Sequence, residues 1–213
     1  MTNEEKIATP TGDSGWWLDF VQSRQTSRSY QDRPIEPERL QRILESLRFA
    51  PSAHNRQPWR FVVMAESAKK ESLAHIMGDR LRADRLADGD DAELIAQDVA
   101  RSGKRITDAA VAILCCMTME DMDTYPDDHR QTAEHWMAVQ SAAMATQNML
   151  LAAHAEGLGG CWMCAPLFCG DSLVEKLDLP DHWIPQALLT LGWPDKPPKK
   201  RQRLPIEEVV RFV

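Results

Sequence analysis

The sequence predicts one mixed helix-and-strand domain, on three observations. Apolar runs at Trp59-Arg60-Phe61-Val62-Val63-Met64, at 109–117 and at 186–193 read as buried strands. Segments with helical spacing of apolar residues separate them. The chain has 213 residues, 43% hydrophobic and 27% charged, so it can bury a sizeable core and has an ordinary globular composition.

The balance of charge bounds the function. A net charge of −7 argues against general nucleic-acid binding and fits a cytoplasmic protein, and the composition suggests neither disorder nor a membrane protein. Residues 1–14 contain no apolar signal core and read as a loose arm; residues 15–213 read as the single domain. Five cysteines without a signal segment suggest reduced thiols. The Cys161-x-x-Cys164 pair lacks a second pair at ligand spacing, so buried small apolar side chains outweigh a metal or dithiol reading, and no metal is expected.

In chain order, Ser14 is placed to cap a short helix with Trp17, Phe20 and Val21 on one face. It ends in Ser23-Arg24-Gln25-Thr26-Ser27-Arg28-Ser29, whose two cations suit either an anion such as phosphate or a solvated loop. Pro37 opens a helix carrying Leu40, Ile43, Leu44 and Leu47. This helix leads into Ala50-Pro51-Ser52-Ala53-His54-Asn55-Arg56-Gln57-Pro58-Trp59, where two prolines restrict the backbone and hydroxyl, imidazole and amide groups crowd the start of a strand. We read it as a ligand-binding turn.

Residues 66–105 interleave nine acidic and eight basic side chains with sparse apolar ones, which predicts amphipathic helices with one thin buried face. The segment has two readings, a mobile lid over a site and a solvated helical excursion. After the strand at 109–117, Tyr125-Pro126-Asp127-Asp128 marks a turn. The longest helix then runs from about Arg130 to Ala155, apolar almost all round and therefore enclosed, with small residues that admit another helix, including one from a second subunit. Gly157-Leu158-Gly159-Gly160 ends it, a short extended segment follows at 161–165, and Asp171 is placed to cap a short helix. Lys196, Lys199, Lys200, Arg201 and Arg203 form a basic cluster in an acidic chain, which reads as a solvated loop or a phosphate clamp. Walker, dinucleotide, nucleophile-elbow and zinc-protease signatures are missing, which favours a cofactor that carries its own chemistry.

Four segments in order resemble the nitroreductase family of flavin oxidoreductases: Arg24-Gln25-Thr26-Ser27-Arg28; the stretch from Ala50 to Trp59; Gln147-Asn148-Met149-Leu150-Leu151-Ala152-Ala153 with Gly157-Leu158-Gly159; and Arg201-Gln202-Arg203-Leu204-Pro205. The resemblance implies an α+β fold, a mostly antiparallel central sheet flanked by helices around a long buried one. It also implies an intertwined homodimer with FMN at the subunit interface. Arg24, Thr26, Arg28, Arg201 and Arg203 would then hold phosphate and ribityl, Ser52 and Asn55 the ring and ribityl, and Gly157, Leu158 and Gly159 would lie along the flavin through their backbone. Gln25, Pro51, Ala53 and Gln57 complete the expected cofactor-binding set. Gln25 stands where a second basic residue is common, which implies weaker phosphate retention. The implied reaction is ping-pong hydride transfer from a reduced nicotinamide or deazaflavin to an electron-poor acceptor such as a quinone or nitroaromatic, with no side chain assigned as catalytic. Within the family, Tyr125-Pro126-Asp127, the helix after it and Cys161-Trp162-Met163 through Leu167-Phe168-Cys169 are most similar to the C-terminal reductase domain of coenzyme F420-0 γ-glutamyl ligase and to its free-standing relatives. A reductase of a coenzyme F420 intermediate and a non-catalytic flavin or F420 binder are the alternatives.

Overall fold

The computed structural model describes residues 15–197 and 200–213, so the expected cap Ser14 and the basic residue Lys199 lie outside the described residues. Four strands form one sheet in the order β1-β2-β4-β3: β1 Trp59–Met64, β2 Val111–Met117, β3 Gly159–Met163 and β4 Ile184–Gly192. Every pairing among them is antiparallel, and β2 and β4 shift register at Cys115/Cys116.

β2 explains the layering. All seven of its residues are buried, as expected of a strand covered on both faces. Ala112, Leu114 and Cys116 face one cluster with Leu73, Ile76 and Ile106; Val111 and Ile113 face another with Ile43, Met149 and Leu150; Cys115 and Met117 meet Ala138 and Ala142. The first of these layers is built by α3 Ser67–Ala87, α4 Ala92–Thr107 and α6 Gly170–Lys176, the opposite one by α2 Pro37–Ser46 and α5 Asp128–Ala155. The charged segment is thus a core layer over its inner half: Leu73, Ile76, Met77, Ile95 and Ile106 are buried, while Leu86 and Leu94 at its outer end are exposed. Its one buried cation, Lys70, donates to Thr107 O at 3.2 Å and Ala109 O at 2.5 Å, closing the carbonyl end of α4.

Caps fix several boundaries. Asp91 accepts from Leu94 N at 2.9 Å and Asp127 from Arg130 N at 3.0 Å, so α5 starts two residues before its expected start. The expected cap Asp171 lies inside α6, which begins at Gly170, with Cys169 as the N-cap between it and a 3-10 turn at Ala165–Phe168. The chain encloses α5 on its inner face only; Trp136 and Met144 are exposed on the other.

The glycines after α5 serve two different needs. Gly157 takes φ +79 as a helix-ending residue. Gly159 and Gly160 are strand residues needed for close approach: a Cβ on Gly159 would stand 2.5 Å from Ser27 Cβ, and one on Gly160 2.9 Å from Leu150 Cδ2. Gly159→Ala therefore has to push Ser27 off the sheet edge. We expect a cost of about 1–3 kcal/mol and a Tm lower by roughly 3–9 °C in a thermal melt; an unchanged Tm would show that Ser27 exerts no such constraint.

Candidate functional site

The first part of the site begins at α1 Gly15–Ser23, which docks on the end of α5 through Phe20 and His154, their ring centroids 4.9 Å apart, and through Ser23 Oγ and His154 Nε2 at 2.7 Å. The next residues run along the edge of β3: Thr26 bridges Gly160 in parallel, and Ser27 N donates to Gly160 O at 3.0 Å. Tyr30 locks them from behind. Its ring lies over Gly192, its hydroxyl donates to Ser27 O at 2.8 Å, and Thr190 Oγ1 lies at the same distance. Burial pushes the Tyr30 phenol up, so it stays protonated and serves as a strut.

This arrangement forms a cavity of about 460 Å³ lined by Gln25, Thr26, Arg28, Arg105, Arg201 and Arg203, with Lys196 beside them. Among the described residues none of the four arginines has an acidic partner. Arg28 also meets the Cys161 thiol, and four guanidiniums that line one cavity suit a phosphate-like anion, which accepts their paired donors. The structure thus brings together Gln25, Thr26, Arg28, Arg201 and Arg203 from the two ends of the chain. Arg24 does not line the cavity; its charge acts on His154. Arg105 was missed in the sequence. A basic residue in the last turn of an amphipathic helix reads first as a favourable partner of the helix dipole.

The second part is the turn before β1. Ala53–Asn55 forms a 3-10 turn, and His54, Asn55 and Gln57 take φ of 50, 54 and 51, a left-handed backbone rare for residues other than glycine. The turn is tied at several points. Ser52 Oγ accepts from Gln57 N at 3.1 Å, Ala53 N donates to Ser141 Oγ at 3.2 Å, and Arg56 pairs with Asp123 at 2.7 Å. Ser52 Oγ therefore closes the turn, and its own proton remains to donate. His54, Asn55 and Gln57 present exposed side chains from a strained backbone, a combination found at functional sites. Pro51 is exposed at the entrance and Ala53 half-buried.

The remaining parts lie along β3. Leu158 is buried between Gly157 and Gly159, leaving only backbone there to meet a ligand. At the far end Trp162 Nε1 donates to Cys164 Sγ at 3.2 Å, and Leu167 and Phe168 are exposed beside a groove of about 1000 Å³ that also contains Trp136 and Trp183. All five cysteines are free thiols; four are buried as expected, whereas Cys164 is exposed. Burial pushes Cys115 up to about 11 and Cys116 up to about 12, which keeps both protonated.

One chain does not bring the two main parts together. The turn precedes Trp59, whose level in the sheet is that of Met117 and Ile184, while the arginine cavity stands at Gly160, opposite Leu191. These are diagonal corners: about 23 Å along the strands and three interstrand spacings, about 14 Å, across them.

The family model for the nitroreductase family matches residues 21–193, and the chain belongs to that family. The Archaeoglobus fulgidus relative is 30% identical over 183 residues, covering 83% of this chain and 84% of that protein. The Methanothermobacter thermautotrophicus relative is 29% identical over 186 residues, covering 86% and 80%. Both carry the provisional name NADH dehydrogenase/NAD(P)H nitroreductase. The crystal structure of a provisionally named nitroreductase from Desulfovibrio desulfuricans, in complex with FMN, superposes with a TM-score of 0.71 at 26% identity, covering 92% of this chain and 95% of that one. The α+β architecture expected from the sequence is thus that of the family.

The contact between α1 and α5 has a pH dependence of definite sign. Burial, with the Arg24 charge second, pulls the His154 imidazole below the usual histidine range. The folded chain then binds fewer protons here than the unfolded chain, so this contribution to stability is reduced in acid and recovers as pH rises to the unfolded value of about 6.5. Denaturant midpoints between pH 5 and 7.5 should rise with pH, and His154→Asn should lose that part of the increase. A parallel slope in the variant assigns the effect elsewhere.

Proposed function

We propose that the protein is an FMN-dependent oxidoreductase that takes reducing equivalents from a reduced nicotinamide and passes them to an electron-poor acceptor such as a quinone or nitroaromatic. The observation that carries this reading is the cavity of Arg28, Arg105, Arg201 and Arg203, four cations without acidic partners among the described residues, in a chain of the nitroreductase family. FMN, when bound, supplies the hydride chemistry. The chain supplies the rest: the four arginines and Thr26 hold the phosphate and ribityl, the backbone at Gly157, Leu158 and Gly159 forms a wall, and Ser52, Asn55 and Gln57 offer donors to the ring carbonyls.

The diagonal corners lie farther apart than one FMN reaches, which supports a site made by two chains, one giving the arginine cavity and its partner the strained turn. A homodimer also accounts for surfaces the single chain leaves open. These are the outer side of α5 at Trp136 and Met144, α1 with Trp16 and Trp17, and the C-terminal segment with Leu204, Ile206, Val209 and Phe212, all exposed. Such apolar surface on a single chain supports an interface there.

The likeness of 125–127 and 161–169 to the F420-0 γ-glutamyl ligase reductase domain supports reduced coenzyme F420 as the second donor to test, with an F420 intermediate as an alternative substrate. No helix of the described residues is long and apolar enough to cross a membrane. Five free thiols fit a reducing compartment such as the cytoplasm.

The full chain, expressed with flavin available, should be yellow, sediment as a dimer and oxidise NADH or NADPH with a quinone. A colourless protein that takes up no FMN overturns the reading, and FMN uptake without turnover converts it to a flavin binder. Arg203→Ala should raise the FMN dissociation constant about tenfold or more, since a charge-assisted hydrogen bond contributes about 1.5–3 kcal/mol. Fluorescence quenching titrations measure it; equal affinity removes Arg203 from the clamp.

A further inference from the structure

Glu134 is the least expected side chain in the core. It stands on the second turn of α5 at 0% exposure, close to the cluster of Met117, Met122 and Ala138. Its Oε1 accepts from Asp123 N at 3.1 Å, while Oε2 has no hydrogen-bond partner among the described residues. Burying a carboxyl with one oxygen unsatisfied is costly, and an apolar side chain of that volume would pack with less desolvation. Packing therefore does not explain the residue.

Its neighbours do. Glu134 holds the backbone of Asp123, and the Asp123 carboxylate holds Arg56 at 2.7 Å. Met137 and Ser141 follow Glu134 at steps of three and four on the same face of α5, where Ser141 Oγ donates to Met137 O at 2.7 Å and accepts from Ala53 N at 3.2 Å. One helix face thus grips the turn twice, at Ala53 directly and at Arg56 through Asp123. The three left-handed residues His54, Asn55 and Gln57 stand between and just beyond these grips.

We propose that Glu134 is the positioning residue of the strained turn: through Asp123 and Arg56 it keeps Asn55 and Gln57 in the left-handed geometry that presents them to the flavin. The flavin part rests on the function proposed above; the clamp itself does not. Full-length Glu134→Leu, Glu134→Gln and Asp123→Ala separate the two. In flavin-free protein, Glu134→Leu and Asp123→Ala should speed amide hydrogen exchange at Asn55, Arg56 and Gln57 about tenfold or more, with β2 exchange unchanged. A merely structural role would speed exchange in β2 as well.

The same two variants should weaken FMN and riboflavin by one common factor of about tenfold, because the turn meets the ring that both share, whereas loss of a phosphate arginine affects FMN alone. Glu134→Gln keeps an oxygen for Asp123 N and should restore both affinities to within about threefold. Unchanged exchange at 55–57 in Glu134→Leu and Asp123→Ala overturns the clamp, and so does a Gln variant as impaired as Leu. Should Glu134→Leu fail to fold, Asp123→Ala decides, since its side chain is partly exposed. Failure of the wild type to bind either flavin overturns the functional reading, while the exchange rates still decide the clamp.

Discussion

The contact of Ser27 with Gly159 and Gly160 is the constraint on which the candidate site depends. β3 pairs with β4 on one side only, and its other edge would stand open. The chain after α1 closes the start of that edge with the Thr26 bridge and the Ser27 bond, which is possible only because Gly159 carries no Cβ to meet Ser27. Tyr30 then spans from Gly192 to Ser27, so the first arginine segment is fixed to strand ends rather than left to a loop. Arg28 gains its position from this edge, and Arg105 arrives at the same cavity from the end of α4. The anion cavity is thus a product of sheet geometry.

The turn at the opposite corner obeys a different economy of forces. Three left-handed residues other than glycine cost about 1 kcal/mol or more each, a large fraction of the 5–15 kcal/mol that keeps a domain folded. Asparagine and histidine tolerate the conformation better than glutamine does. The strain persists because Ser52, Ser141 and Asp123 over-determine the backbone on three sides, with Thr118 N donating to Pro58 O at 2.9 Å where the turn enters β1. Rigidity at the turn is therefore imported from α5, whose inner face carries polar residues among alanines.

Much of this was legible in the sequence, and the boundary follows the range of the interactions. β1, β2 and β4 showed as apolar runs, and α2 and α5 through their spacing, because one strand or helix decides that signal alone. The polar crowding from Ser52 to Gln57 marked the turn, and the two basic segments marked the arginine cavity. The left-handed backbone was hidden, since no glycine announces it. The role of Gly159 was hidden as well, because its neighbour Ser27 lies more than a hundred residues away and a run of glycines reads as a turn. Lys70, Arg105 and Glu134 carry charges on helices rich in charge, where nothing local separates a buried or site-facing member from a solvated one. The diagonal placement of the corners needed the strand order, which no single segment contains.

In the proposed dimer that placement makes flavin binding and self-association two sides of one equilibrium. In the proposed dimer each cofactor would bond to both chains, so whatever free energy FMN gains from the partner's turn is also free energy of dimerisation. A chain that associated strongly without flavin would leave little coupling between them; the exposed apolar face of α5 and the C-terminal segment favour that case. The strain in the turn acts in the same direction. A turn already held in its binding geometry does not have to be ordered when the ring arrives, so its cost falls on folding and is absent from the binding step. In the proposed site the stability set aside at Asn55 and Gln57 is in this sense affinity prepared in advance.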